Sequence, residues 1–346
     1  MDAINKNATT ITIPTGLSSL FLLASTTPTT TNRQFQFVDY GESFSSPDGK
    51  PTISCDGRIP GGVTLELTHW TGNETPDELY ADTSTEMALK LAQHKQFSDQ
   101  LAEAIVLNNH YDTDGILSVW ACLEPSLALE YSDLLIQGAE AGDFGEWSTD
   151  AGVKLDCALS EMCVGDEESA FYAALKELPS MLQDFKTTGG KAYEDLWKPE
   201  FEYAAKSWEA LQTGDVALKA FNDDIAVLQE ASSTSISPYA LHRGLKQKKI
   251  HHKVKRILRA TTTTDKLSSF KYEKVGHGWI QKVLERQPVP SVDANQLVEN
   301  LNSIEKTNCW KSGGSGLIGI CYTTKKIAKT PEEVAEAMAR YDDGLN

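Results

Sequence analysis

The sequence predicts an α/β protein: a doubly wound, mainly parallel sheet with an inserted helical segment, followed by a smaller C-terminal α/β domain. Three observations lead there. Between residues 63 and 143 short apolar runs alternate with amphipathic stretches, the pattern of a parallel sheet with crossover helices. Residues 150–222 replace that alternation with long helical periodicity. After the polar segment Ala231 to Pro238 (ASSTSISP) a second, shorter alternation begins. The domains read as a Ser/Thr-rich arm over 1–34, a metal-binding α/β domain over 35–230 containing the helical region 150–222, and a small substrate-holding domain over 239–346.

Each element has its own signal. In the arm, Leu17 to Ala24 is apolar but too short to span a bilayer, and its poorly charged upstream segment makes a weak targeting signal. A pairing strand or a disordered arm is the expectation. Val63 to Thr68 alternates as a strand ending at His69-Trp70. Thr75-Pro76-Asp77-Glu78 and Thr83-Ser84-Thr85-Glu86 both carry the hydroxyl-plus-Glu signature of a helix start. Ile105 to Leu107 is a short buried strand, and Ile116, Val119, Trp120 and Leu123 form one helix face after it. Asp133 to Asp143 (DLLIQGAEAGD) reads as a strand running into Gly142-Asp143. Phe171, Ala174, Leu178, Met181, Leu182 and Phe185 have helical spacing, with a kink expected at Pro179, and Tyr193, Trp197, Phe201, Ala204, Trp208 and Leu211 repeat the pattern; both stripes read as helix–helix core. Ile225 to Leu228, Val254 to Ala260, Ser268 to Val275 and Leu317 to Tyr322 are strand candidates. Helices are expected over about 294–304 and after the cap Thr330-Pro331-Glu332-Glu333.

Composition narrows the function. The formal charge of −17 opposes general affinity for extended nucleic acid or anionic membranes, although a local basic groove is compatible with it. The six cysteines, Cys55, Cys122, Cys157, Cys163, Cys309 and Cys321, show no C-x-x-C pair and read mostly as reduced core thiols of a cytoplasmic protein. No nucleophile elbow, Walker loop or Rossmann fingerprint is present.

The segment that carries chemistry is Ala104 to Ala121 (AIVLNNHYDTDGILSVWA). It places His110, Asp112 and Asp114 at the carboxyl end of a strand, where open α/β sheets hold ligands. Alternate residues of an extended segment point the same way, so an imidazole and two carboxylates are expected to converge. Such donors suit Mn²⁺ or Mg²⁺. Gly115 allows a tight turn as the helix begins. The competing reading is an Asx-rich cap of the next helix, but a cap needs one acceptor and this loop offers several.

His110-Tyr111-Asp112-Thr113-Asp114-Gly115, with Ser118, resembles the first motif of the DHH phosphoesterase superfamily, which includes RecJ-type exonucleases, nanoRNA phosphatases and family II pyrophosphatases. The segments THWTGNETPDELYADTSTE and HYDTDGILSVWA also resemble an uncharacterised, DHH-like bacterial group of unknown function. The resemblance, over roughly residues 100–145, implies that the motif acids bind one or two Mn²⁺ or Mg²⁺ ions and that Asp143 matches the lone Asp of the second motif. The Asp-His-His motif is absent. The pair His251-His252 follows Lys248-Lys249-Ile250, so the third motif is not carried over and the second ion has no ligand set assigned.

The expected metal residues are therefore His110, Asp112, Asp114 and Asp143, with Asp112, Asp114 and Asp143 catalytic. His69 joins them if its strand neighbours that of His110; a structural His packed on Trp70 is the alternative. Asp82 reads as a helix cap, and Glu140 and Glu146 as either supporting groups or surface. The acid-free run Arg243 to Arg259 reads equally as solvated surface or as a substrate-holding face. Lys253, Lys255, Arg256, His277, Gly313, Gly314 and Ser315 are the substrate-binding candidates. The functional expectation is a divalent-metal-dependent phosphoester hydrolase acting on a small anionic substrate, phosphorylated or a short nucleotide, with a homo-oligomer compatible. An iron- or manganese-dependent oxidative enzyme and a non-catalytic binding module are the alternatives.

Overall fold

The structure, a computed structural model, describes residues 31–70, 72–231, 236–250, 254, 256–263, 266–274, 294–305, 308–313 and 320–342. Its first sheet has four parallel strands: β1 (Gln34–Phe37), β2 (Thr52–Cys55), β3 (Leu65–Leu67) and β4 (Ile105–Asn108), in the order β1-β4-β2-β3. Strands β1 and β2 were not anticipated. Both are four residues long, and β1 alternates Gln with Phe too briefly to stand out. Nearly all of the predicted arm, residues 1–30, lies outside the described residues.

Parallel strands alternate their side chains between two faces. Phe37, Ile53, Cys55, Leu65, Leu67 and Val106 point to the face that carries the main core. Against it pack α1 (Ser84–Gln93), α2 (Lys95–Gln100), α3 (Thr113–Leu123), α4 (Pro125–Glu130), α5 (Ser132–Phe144) and α7 (Glu167–Thr188), with α6 (Asp150–Glu161) beside α5. On the opposite face Ile105 and Leu107 meet Val38, Phe44, Ile59 and Val63, all strand and loop residues. The α/β class and the parallel sheet stand; the helical winding of the described residues gathers on one face.

Two sequence expectations change. Asp133 to Asp143 is the helix α5, not a strand. Its apolar run also fits helical spacing, and Gly138 lets α5 pack closely on the side chains of Leu117 and Leu155. Thr75-Pro76 starts only a turn. Its Thr75 hydroxyl donates to Thr68 O and accepts from Thr68 N, so it is unavailable as a cap. Thr83 is the cap that forms: its hydroxyl accepts the Glu86 N–H at the start of α1. Pro179 sits inside α7, which continues through it and buries all six predicted stripe residues.

α8 (Glu194–Thr213) completes the helical region, its aromatics Trp197, Phe201 and Trp208 packed beside Trp147 and Tyr239. The second sheet then begins earlier than expected. β5 (Ala217–Ala220) and β6 (Ile225–Ala231) join β7 (Arg256–Thr262), β8 (Ser268–Lys274), β9 (Trp310–Gly313) and β10 (Ile320–Thr323) in a mixed sheet ordered β5-β6-β7-β8-β10-β9. Thus Ile225 to Leu228, read with the first domain, pairs parallel with β7 instead. α9 (Pro238–Gln247), α10 (Ala294–Glu305) and α11 (Pro331–Asp342) accompany this sheet, and α9 packs on α8. Among the described residues no helix is long and apolar enough to cross a membrane. All six cysteines are free thiols, and only Cys163 is exposed.

Candidate metal centre

The carboxyl ends of β2, β3 and β4 converge, and each delivers a polar residue. β2 ends in Asp56, whose backbone sits in the left-handed region at φ 45° while its N–H donates to Leu67 O at 2.9 Å. Asp tolerates that conformation better than most side chains, and here it turns a buried carboxylate toward the crevice. β3 delivers His69. It is not next to β4, since β2 lies between them, yet it faces the same crevice. β4 delivers His110 through Asn108 and Asn109. Asn108 Oδ1 accepts the His110 N–H at 2.9 Å, and Asn109 Oδ1 lies 3.0 Å from His110 Nδ1.

The acids of the H-x-D-x-D segment do not share one point. Asp112 is the N-cap of α3, accepting the Gly115 N–H on Oδ1 at 2.8 Å, and it turns Oδ2 to His110 Nε2 at 3.0 Å. The cap reading and the ligand reading therefore use different oxygens of one carboxylate. Asp114 lies in the first turn of α3, where the helical path replaces the alternation of an extended chain. Its two oxygens accept Ser84 N at 2.7 Å and Thr85 N at 2.8 Å, closing the N-terminus of α1. Gly115 is needed less for a turn than for space: a Cβ there would lie 2.7 Å from Asn108 Nδ2 and 2.9 Å from Asp112 Oδ1. Asp143, in the last turn of α5 rather than at a strand end, completes the set.

Two groups of donors result. Asp56, His69, Asp114 and Asp143 each present one atom with all four within 4.8 Å of one another, and Asp56, His110 and Asp112 do the same. Two oxygens bound to one Mg²⁺-sized ion, each at about 2.1 Å, are separated by at most about 4.2 Å, so little movement closes either group on a cation. Asp56 belongs to both. Its Oδ1 lies 3.9 Å from His69 Nε2 and its Oδ2 3.3 Å from His110 Nε2. Residue 56 escaped the sequence reading. The available signal was a Pro51-bounded segment, Thr52 to Cys55, that alternates hydroxyl and apolar side chains and runs into Asp56-Gly57, the same strand-end-then-Asp logic applied at motif I.

The electrostatics call for positive charge. Burial, then the charges of Asp114, Asp56, Asp112 and Asp156, pushes the Asp143 carboxyl well above its ordinary range. Burial also raises Asp112 and Asp114, the first further raised by Asp56 and the second opposed by His69 and Thr85. For His110, burial lowers the imidazole but hydrogen bonds to Asp112 and Asp56 outweigh it and push it up to about 10. Asp143 Oδ2 is buried and receives no hydrogen bond, with His69 Nε2 3.5 Å away. His69 Nδ1 lies 2.7 Å from Asp82 O, a carbonyl that can only accept, so Nδ1 donates to it and Nε2 faces the carboxylates of Asp143 and Asp56. Asp82 thus serves through its backbone. An imidazole facing a cluster of buried carboxylates fits a divalent cation.

The groups open on a cavity of about 410 Å³ lined by Asp56, His69, Trp70, His110, Asp112 and Asp143 and, from the other side, by Asp156 and Tyr239. Of the substrate candidates, Arg256 is buried within β7 and does not line it, and Gly313 ends β9. Lys253, Lys255, His277, Gly314 and Ser315 lie outside the described residues. Other cations of the basic run hold the fold together. Arg243 stacks between Trp147 and Trp208, Lys246 pairs with Glu146 at 3.1 Å, and Arg259 pairs with Glu230 at 3.3 Å.

Among the solved structures that align with the chain are two that carry related descriptions. The pGpG-specific phosphodiesterase PggH from Vibrio cholerae aligns with 11% identity and a TM-score of 0.36, over 85% of this chain and 84% of that one. The DHH domain of a member of the S1p family of ribosomal proteins aligns with 13% identity and a TM-score of 0.29, over 82% of this chain and 63% of that one. No curated protein sequence matches. Residues 33–341 match the family of unknown function DUF6687, and the chain belongs to that family.

Proposed function

We propose that this protein is a divalent-metal-dependent phosphoester hydrolase acting on a small phosphorylated or short nucleotide substrate. One observation carries the reading: Asp56 turns one oxygen toward the His69 group and the other toward the His110 group, as a carboxylate shared by two cations does. The resemblance of residues 110–115 to the first DHH motif supports phosphoester chemistry. Asp56, with His69 and His110, supplies ligands that the absent Asp-His-His motif left unassigned. When bound, Mn²⁺ or Mg²⁺ acidifies water and offsets the charge that builds on phosphoryl oxygens.

The chain's own residues prepare that chemistry. Asp82 O accepts from His69 Nδ1 and so orients Nε2 toward Asp56 and Asp143. Asn109 Oδ1 faces His110 Nδ1 and directs Nε2 toward Asp56 and Asp112. The amides of Ser84 and Thr85 fix both oxygens of Asp114 against rotation. Among the described lining residues there is no Lys or Arg, so an anionic substrate depends on bound cations for attraction to this wall.

The test is metal analysis of the purified chain followed by hydrolysis of bis(p-nitrophenyl) phosphate with Mn²⁺, with Mg²⁺ and with EDTA. The reading expects Mn²⁺- or Mg²⁺-dependent turnover that is lost in Asp56→Asn. Tightly held iron with a visible absorption band and no hydrolysis would transfer the site to oxidative chemistry. A chain that holds no metal would be a binding module.

A further inference from the structure

The same cavity is lined by a further buried carboxylate that neither donor group includes. Asp156, in α6, is 3% exposed and is held by hydroxyls alone. Its Oδ1 accepts from Thr113 Oγ1 at 2.5 Å and from Ser160 Oγ at 3.4 Å, and its Oδ2 accepts from Tyr239 OH at 2.5 Å. The three donors come from different places. Ser160 is one turn away on the same helix. Thr113 stands between Asp112 and Asp114. Tyr239 belongs to α9, the helix that accompanies the second sheet.

The same carboxylate presses on the Asp143 segment. A Cβ at Gly142 would lie 3.0 Å from Asp156 Oδ1 and 3.0 Å from Thr113 Cβ, so a larger residue there would push on both. Asp156 therefore touches the immediate neighbours of three candidate ligands without approaching as a ligand itself. A buried carboxylate with no cationic partner is costly to keep, on the order of several kcal/mol before its hydrogen bonds offset it. A structural tie between α3 and α9 could be made by an apolar contact at no such cost. What a carboxylate adds is direction: it fixes the Thr113 hydroxyl, and with it the backbone that carries Asp112 and Asp114.

We propose that Asp156 is a positioning residue through which Tyr239 of the C-terminal unit sets the placement of the metal ligands Asp112, Asp114 and Asp143. The inference rests on the metal-centre reading above and adds to it a specific route. α9 is docked independently by Arg243 between Trp147 and Trp208 and by Lys246 on Glu146, so the Tyr239–Asp156 bond is not required merely to hold the units together.

The experiment uses Co²⁺ as probe, titrated into the metal-free full-length chain and read by visible absorption, with far-UV circular dichroism as the check on fold. Tyr239→Phe should weaken Co²⁺ binding by roughly 10-fold, the lower end of the loss when a residue behind a ligand is removed, and should shift the absorption band. Thr113→Val should do the same, whereas Thr113→Ser, which keeps the hydroxyl, should restore both. Arg243→Gln disturbs the same interface without touching Asp156 and should leave both readings as in the wild type. Wild-type Co²⁺ binding and spectrum in Tyr239→Phe, or equal effects from Arg243→Gln, would overturn the positioning role while leaving the metal reading intact. A wild-type chain that binds no Co²⁺ overturns the metal reading and this inference with it.

Discussion

Asp56 Oδ2 and His110 Nε2 stand 3.3 Å apart although the residues end different strands, β2 and β4, that run parallel side by side. Because Asp56 is also the residue common to both donor groups, it should matter more than any acid of the H-x-D-x-D segment. Asp56→Asn is expected to remove all bound Mn²⁺, and Asp112→Asn to remove only part of it. Elemental analysis after gel filtration decides this, and full occupancy in Asp56→Asn would refute the shared-ligand arrangement.

Asp143 offers a trade between stability and function. Its folded pKa is raised, so its contribution to stability is complete only below its ordinary value of 3.8 and is lost as pH rises through the folded value. At neutral pH the metal-free chain carries that penalty. Asp143→Asn should therefore stabilise the protein in EDTA by on the order of 1 kcal/mol while abolishing metal uptake. Urea unfolding at pH 7 in EDTA measures it, and a clear loss of stability would contradict the account.

His110 behaves in the opposite sense. Its folded pKa is raised from 6.5 to about 10, so its contribution is fully present below pH 6.5 and disappears as pH rises through about 10. In EDTA, the stability difference between wild type and His110→Gln should shrink steadily across that window. A difference that stays constant from pH 6.5 to 10 would mean that the Asp112 and Asp56 contacts do not hold the proton on His110.

Asp114 has a second duty at α1. Asp114→Asn replaces one of its two acceptor oxygens with a donor that faces a backbone N–H. Leaving such a buried group unpaired costs about 1–3 kcal/mol. Thermal unfolding in EDTA should show a marked loss in Asp114→Asn and little change in Asp112→Asn, whose capped α3 end can still be served by an amide oxygen. Equal melting temperatures would remove the structural duty from Asp114.

Arg256 provides a check on the basic run. Buried in β7, Arg256→Gln should lower thermal stability without changing KM for an anionic phosphoester. A raised KM at unchanged stability would return Arg256 to the substrate-holding role that the sequence suggested.

The parts of this site that were legible in the sequence are those with dense local signals. The strand-to-helix junction at residues 105–116 combined an apolar run, a cap and a helical stripe, and it folds as those signals imply. The Thr83-to-Glu86 cap worked for the same reason. Asp143 joins the candidate donors but sits on a helix where a strand end is expected, because Leu134-Leu135-Ile136 satisfies strand and helix patterns alike. Asp56 was missed because a four-residue strand offers almost no periodicity. The link from Tyr239 to Asp156 spans 83 positions, and nothing local to either residue announces it.

The position of β4 between β1 and β2 has a consequence for the nascent chain. As synthesis proceeds, β1, β2 and β3 emerge first, yet β1 and β2 have no strand between them until residues 105–108 are available. Both present unpaired edges during that interval, a state open to wrong association. Asp56 and His69 leave the ribosome in the same interval, before His110, Asp112, Asp114 and Asp143 exist to complete either group. The insertion of one central strand therefore closes the sheet and sets His110, Asp112 and Asp114 beside Asp56 and His69, with Asp143 following on α5.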